Sequence, residues 1–150
     1  MNHYPSWWDT TVTVYNKYIG LDKKIVWYPH VIEGCFYKHD LEKITVGRTT
    51  IEANVSVCRL REDSRFIKKS AWIELPDESK HTRFTLSLGD IIVAGEVDAE
   101  DLELDEYTNG KRSSDLIKKY SEWPGCFTIT SVNINTGGGR GNEHYHVRGS

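Results

Sequence analysis

The residues best equipped for chemistry lie together in the stretch 135-NTGGGRGNEHYHVRG-149. It offers a glycine run with one arginine, Gly137, Gly138, Gly139, Arg140 and Gly141, and then two histidines one residue apart, His144 and His146. Such a stretch could cradle a phosphate, hold a metal or turn between two strands. A GxxxxGK[ST] phosphate loop requires a lysine, a hydroxyl residue and a helix after its glycines. The dinucleotide fingerprint also requires a helix there. Neither pattern follows Gly141. Glycine adopts positive φ at little cost, so the run reads as a hairpin turn joining the last two strands. Arg140 at its tip is suited to touching a phosphate or a partner.

His144 and His146 face the same side of a strand, and two imidazoles on one face can share zinc or iron. A third ligand would have to come from Glu143, His3, His30, His39 or His81, and no spacing brings these together. The pair therefore reads as surface or interface residues, with His144 and His146 as weak metal candidates and no cofactor expected. The three cysteines, Cys35, Cys58 and Cys126, form no CxxC. They sit in apolar, strand-like contexts, which suits reduced thiols in a cytosolic setting rather than zinc ligands, disulfides or a nucleophile. No GxSxG, HExxH or EF-hand loop occurs. Residues 96–106 carry seven acids and no base, but solvated carboxylates catalyse nothing without burial. The expectation is a protein that is not an enzyme.

The elements that must position these residues are mostly strands. A chain of 150 residues with 38% hydrophobic and 27% charged content suits one soluble domain with one core. Its net charge of −3 gives no overall pull toward nucleic acid or acidic membranes. The apolar runs are too short to span a bilayer, and the N-terminus lacks the pattern of a secretory signal, so export is not expected. Residues 10–19 alternate as a strand and turn at 20-GLDKK-24. The return strand 25–39 is expected at an edge or broken at Pro29, with Gly34 at a bulge. Residues 43–60 read as two strands turning at Val46-Gly47-Arg48. In the second, Ile51, Ala53, Val55 and Val57 oppose a wet face of Glu52, Asn54, Ser56 and Cys58.

A long connection spans 61–84, with one helical turn expected at Pro76-Asp77-Glu78. Gly89-Asp90 turns into a strand at 91–96. The acidic segment and a helix at 113–122, capped by Ser113 or Ser114 and stopped by Pro124-Gly125, form an insertion over 97–125. Strands at 126–137, with a polar switch midway, and 144–148 close the chain. The fold class expected is mainly β (α+β). It is a small barrel or sandwich of about seven strands with one packed helix, long loops and an N-terminal arm over 1–9.

Five Trp and eight Tyr are many for this length. Some must be core, and exposed ones favour interfaces. Trp7 and Trp8 either dock on a neighbouring subunit or fold back on their own barrel.

The segments WWDTTVTVYNKY, KIVWYPHVIEGCFYKH, FTLSLGDIIVAGEV and RSSDLIKKYSEWPGCFTITSVNINTGGGRGNEHYHVRGS, in that order, resemble an uncharacterised family of small tailed-phage and prophage proteins encoded near capsid and connector genes. The chain also loosely resembles phage head-closure proteins, the stoppers or head-tail connectors, through Gly89-Asp90-Ile91-Ile92-Val93 and Thr128-Ile129-Thr130-Ser131-Val132. It departs from them by the insertion at 97–125, where stoppers have a short hairpin. The resemblance implies a small β-barrel virion protein of the phage neck, made in the host cytoplasm. It would form a homo-oligomeric ring between the portal-side connector or adaptor and the tail, with DNA passing without specific binding. It also implies an assembly role for Trp7, Trp8, Gly137–Gly141 with Arg140, His144 and His146. Asp98, Glu100, Asp101, Glu103, Asp105 and Glu106 would then either repel phosphate along a DNA channel or form a solvated loop. The competing expectation is a small phage-encoded binding protein that captures a host protein or a nucleotide, its Trp and Tyr stacking on a base while Arg140 holds a phosphate. A third would be a metal-dependent enzyme built on His144 and His146.

Overall fold

β-branched and aromatic residues at alternate positions make β1 (Thr10–Ile19). Gly20 then reverses the chain: its N–H donates to the Lys24 carbonyl at 3.0 Å, and the Lys23 N–H donates back to the Gly20 carbonyl at 2.9 Å. In the computed structural model, the described residues are 8–20, 23–47, 49–95, 97, 104–105, 113–120, 125–135 and 144–149. Side chains are described for all of these except 39–46, 49–55, 104–105, 113 and 135. The remaining elements are β2 (Ile25–Val46), β3 (Thr49–Arg61), α1 (Lys69–Trp72), α2 (Asp77–Thr82), β4 (Ile91–Ala94), β5 (Leu104–Asp105), α3 (Ser113–Tyr120), β6 (Cys126–Asn135) and β7 (His144–Gly149).

The antiparallel order β1-β4-β6-β7-β3-β2, with β2 returning to β1, closes a six-stranded ring, and β5 adds to β2 at Val26 and Trp27. The mainly β class with short helices is as the sequence implies. Closure removes most sheet edges. Both faces of β1 are buried. Val12 and Val14 point into a core with Leu60, Phe84, Ile92 and Phe127, while Tyr15 joins Trp27, Ile91 and Val93 under Leu116 and Tyr120 of α3.

Four details decide or depart from the sequence reading, each for a local reason. First, β2 does not break at Pro29, which pairs with Tyr15 of β1. Among the described residues β2 has no second neighbour at that point, so the missing N–H is tolerated as at an edge. The same strand runs on through residues 43–46. Second, its change of partner happens at the bulge expected at Gly34, where φ is +70° and three steps of β2 match two of β1. Beyond the bulge Phe36 pairs with Arg59 of β3.

Third, the parity of β3 is reversed at its C-terminal half: Ser56, Cys58 and Leu60 are buried, while Val57 and Arg59 are on the outer face. Residues 39–46 and 49–55 pair as a two-stranded ribbon that runs past the barrel, because β7 pairs with β3 only from Ser56 onward. Of the residues in the expected alternation, Ser56 and Cys58 face the core and Val57 does not; the side chains of Ile51, Ala53 and Val55 lie outside the described ones. Fourth, the connection 61–84 holds two short helices rather than one turn. Pro76 caps α2, with Asp77 and Glu78 in the first turn, and α1 exists to bury Trp72. That indole donates from Nε1 to the Arg83 carbonyl at 2.9 Å.

The polar switch midway along β6 is also a bulge. Between Ile129 and Ser131 the register shifts, so Phe127 and Ile129 fill the core before the switch and Val132 packs against it after. The expected helix at 113–122 is seen as α3 over the described Ser113–Tyr120. Pro124 lies outside the described residues.

Candidate functional site

The register of β6, β7, β3 and β2 gathers one outer face. Residues directly opposite in an antiparallel pair share a side of the sheet. Arg148 pairs with Val57 and Ser131, His146 with Arg59 and Asn133, and His144 with Arg61. Arg59 in turn pairs with Phe36, and Val57 with Lys38. The face thus carries Lys38, Arg59, Arg61, Arg148, His144 and His146, and none of the described side chains at its positions is acidic.

Its electrostatics follow. The Arg59 guanidinium lies 5.3 Å over the Phe36 ring. The His146 pKa is lowered, first by burial and then by Arg59, His144 and Arg148. The buried Nε of Arg59 and Nε2 of His146 have no hydrogen-bond partner. The rings of His144 and His146 are 6.5 Å apart on the side the sequence places them. Their surroundings are cationic, which opposes a bound metal ion. Among the described residues no cluster of three or more His, Cys, Asp or Glu is placed to hold one. Of the third-ligand candidates, His30 packs against Phe84 and His81 against Tyr28. His3 and Glu143 lie outside the described residues.

Trp8 takes the second of its two expected placements. It is buried, stacks edge-on against His144 at 5.7 Å, and its carbonyl accepts from Arg61 Nη2 at 3.0 Å. Trp7, Gly137, Gly138, Gly139, Arg140 and Gly141 lie outside the described residues. So do Asp98, Glu100, Asp101, Glu103 and Glu106. Asp105 is placed by its backbone, which pairs with Val26. The glycine stretch is flanked by paired strands, Asn135 opposite His144.

Other aromatics are spent inside. Trp72 meets Tyr18 and Tyr28 edge-on, and the buried Lys80 Nζ sits 4.4 Å from the Tyr18 ring and 5.7 Å from Trp72. Lys80 also donates to the Leu75 carbonyl. This cage is filled by the protein's own lysine, so its rings are structural. The cysteines are structural as well. Cys35 and Cys58 are fully buried and unbonded by a disulfide. Burial pushes the Cys58 thiol well up, and burial pushes Cys126 up to about 11. Ellman's reagent at mildly alkaline pH is expected to label none of the three thiols in the native protein and all of them in denaturant.

A second feature had no signal in the sequence. An open cleft of about 640 Å³ is lined by Lys17, Tyr18, Ile19, Lys69, Ile73 and Leu88, with Glu74 the one acid among the described residues that line it. Ile19 is 57% exposed, Leu88 67% and Ile73 41%. Lys69 Nζ donates to the Lys17 carbonyl at 2.6 Å, and burial lowers its pKa. The basic face could have been found from 57-VCRLR-61, whose alternate arginines share a side. The cleft joins a hairpin, a helix and a turn, and no local pattern marks such a junction.

This arrangement can dock an anionic surface and bury apolar side chains. The model of a family of unknown function (DUF6751) matches residues 7–150. No curated protein and no solved structure matches the chain.

Proposed function

The chain belongs to this family of unknown function, and we propose that it is a non-enzymatic structural component of the phage neck. In this reading it is a head-closure subunit, forming a ring between the portal-side connector and the tail. The observation that carries the reading is the outer face of β2, β3 and β7. Its basic groups Lys38, Arg59, Arg148, His144 and His146 gather on a rigid barrel with no described acid among them. A face of that kind suits docking on a carboxylate-bearing protein surface, with charge setting orientation and on-rate. The sequence resemblance to head-closure proteins and the closed barrel support the same role. The partners are then the portal-side or tail-side proteins.

The test is mass spectrometry of gradient-purified particles from cells that carry the gene. The protein is expected in the particles. The double variant Arg59→Glu/Arg148→Glu is expected to remain folded and be left out of them. Absence of the native protein from particles would sink the reading. A second reading, capture of a nucleotide or host protein, has the cleft beside Lys17 and Lys69 in its favour. Calorimetric heat with nucleoside phosphates that Lys69→Ala abolishes would carry it over the first.

A further inference from the structure

We infer that Arg59 and His146 form a seat for one carboxylate of the docking partner, and that the seat closes on it as His146 takes up a proton. The inference rests on the reading of the basic face as a docking surface, and it adds the pair that reads both the partner and the pH.

The two residues are directly opposite in the pairing of β3 with β7. Their chain neighbours Cys58, Leu60, Tyr145 and Val147 are buried, so alternation turns Arg59 and His146 outward. Both are half-buried there. Even so, Arg59 Nε and His146 Nε2 are covered atoms with no hydrogen-bond partner among the described residues, and they do not bond each other. Covered polar atoms of a folded protein are rarely left so, and two on opposite residues of one sheet call for a shared partner. Rotation of half-buried side chains is fast and brings such nitrogens to an incoming group. The Arg59 guanidinium lies 5.3 Å over the Phe36 ring. That contact restrains it while its N–H donors, which lie in its own plane, stay available at the edge.

A carboxylate fits this pair. A guanidinium and an imidazolium donate to its two oxygens, each through a charge-assisted bond. A nucleic-acid strand fits less well, because its bases need open aromatic faces and Phe36 already carries Arg59. The charged groups facing His146 are Arg59 of β3 and His144 and Arg148 of β7. Arg61 of β3 and Lys38 of β2 lie one row away on either side, and β6 contributes only the uncharged Asn133 and Ser131. Of the acids that follow β3, Asp63 is bound to Arg65 and Glu62 is exposed. Burial, then Arg59, His144 and Arg148, hold the His146 pKa below its usual value, so the free protein keeps this imidazole mainly neutral at pH 7. A bound carboxylate opposes that cationic field and raises the pKa again. By reciprocity the protonated protein binds the carboxylate more tightly, and affinity rises as pH falls from the bound toward the free pKa.

The test follows the histidine ring resonances of the full chain by NMR as pH is varied, with and without hexaglutamate at constant ionic strength. The peptide stays ionised above about pH 5.5, where the readings are taken. The His146 midpoint is expected to rise by about half a unit or more with the peptide, which is a roughly threefold preference for the protonated form. His144, whose ring meets Trp8, is expected to move less. Arg59→Gln is expected to abolish the rise, and the resonance of the buried His30 shows whether that variant is folded. His146→Gln is the second variant, and its affinity for the peptide is expected to be the same at pH 7.5 and pH 5.5. A His146 midpoint that stays still, or that moves only as much as His144, overturns the seat. So does a rise that survives in Arg59→Gln. A rise with oligothymidylate and none with hexaglutamate overturns the carboxylate assignment. None of these outcomes touches the neck reading, which the particle analysis judges by itself.

Discussion

Asp90→Ala is expected to lower stability by about 3 kcal/mol or more, and the melting temperature by roughly 6–12 °C, with the barrel otherwise intact up to unfolding. The Asp90 side chain is fully buried. Its Oδ1 accepts from the Lys17 N–H at 3.0 Å, and its Oδ2 accepts from Asn16 Nδ2 at 3.0 Å, the Ser87 N–H at 3.0 Å and Ser87 Oγ at 3.1 Å. Asn16 carries the clamp further, donating to the Thr85 carbonyl at 2.6 Å and accepting from the Thr85 N–H at 3.1 Å. One carboxylate thus ties β1 to the turn that starts β4. Alanine removes the acceptor and leaves buried donors without partners, which costs more than the bonds themselves contribute. Asp90→Asn is expected to lose less, because it keeps one oxygen but turns an amide N–H toward a donor.

Thermal unfolding of the three proteins at one pH checks the order native, Asn, Ala; equal stabilities would overturn it. Burial raises the Asp90 pKa against these hydrogen bonds. Its proton-linked contribution is therefore greatest below the unfolded carboxylate range and is lost as pH rises through the raised value.

This clamp explains why Gly89-Asp90 was readable as a turn and why its importance was not. The glycine takes φ +92°, which the residue type announces. That the following carboxylate reaches back to Asn16 is a tertiary fact with no local pattern. The same division runs through the molecule. The hairpin at Gly20, the bulge at Gly34 and the helix at 113–120 rest on neighbouring residues, and each was legible. Pro29 left an edge and a break both open, and only the partners of β2 show that the edge is right. Val57 argued for a core face and Ser56 and Cys58 for a wet one, and the structure reverses them, because alternation reports an apolar side without saying what covers it.

The candidate surfaces follow the same rule. His144 and His146 were seen as a same-face pair from spacing alone. Their cationic setting required Arg59 and Arg148 to be brought in from register on either side. The excess of aromatics suggested an interface, yet Tyr18 and Trp72 close on Lys80 within the fold and Tyr28 packs edge-on against both rings. The groups left facing outward are mainly charges and the exposed aliphatics of the cleft. Recognition by this protein is therefore expected to depend on salt at the basic face and on apolar burial at the cleft.

Acidification is expected to unmask His30. It lies on β2, 5% exposed, with its ring 6.1 Å from that of Phe84. Burial pushes its pKa down from 6.5 to about 4, the charges of Arg65 and His81 push the same way, and a hydrogen bond with the Lys80 backbone pulls weakly against them. The folded state therefore binds fewer protons than the unfolded chain between these values. The stability this neutral imidazole protects is fully present above pH 6.5 and is lost as pH falls through about 4. A shift of that size corresponds to about 3 kcal/mol. His30→Gln keeps an amide donor for the Lys80 backbone but cannot take up a proton. Urea unfolding at pH 7 and pH 4 should show the native protein losing about 3 kcal/mol more than this variant over that range. Asp90 and Asp63 are common to both proteins, so their opposing slopes cancel in the comparison. Parallel losses in the two proteins would mean that His30 accepts its proton without disturbing the fold. The layer between β2 and Phe84 would then admit water more freely than its packing indicates.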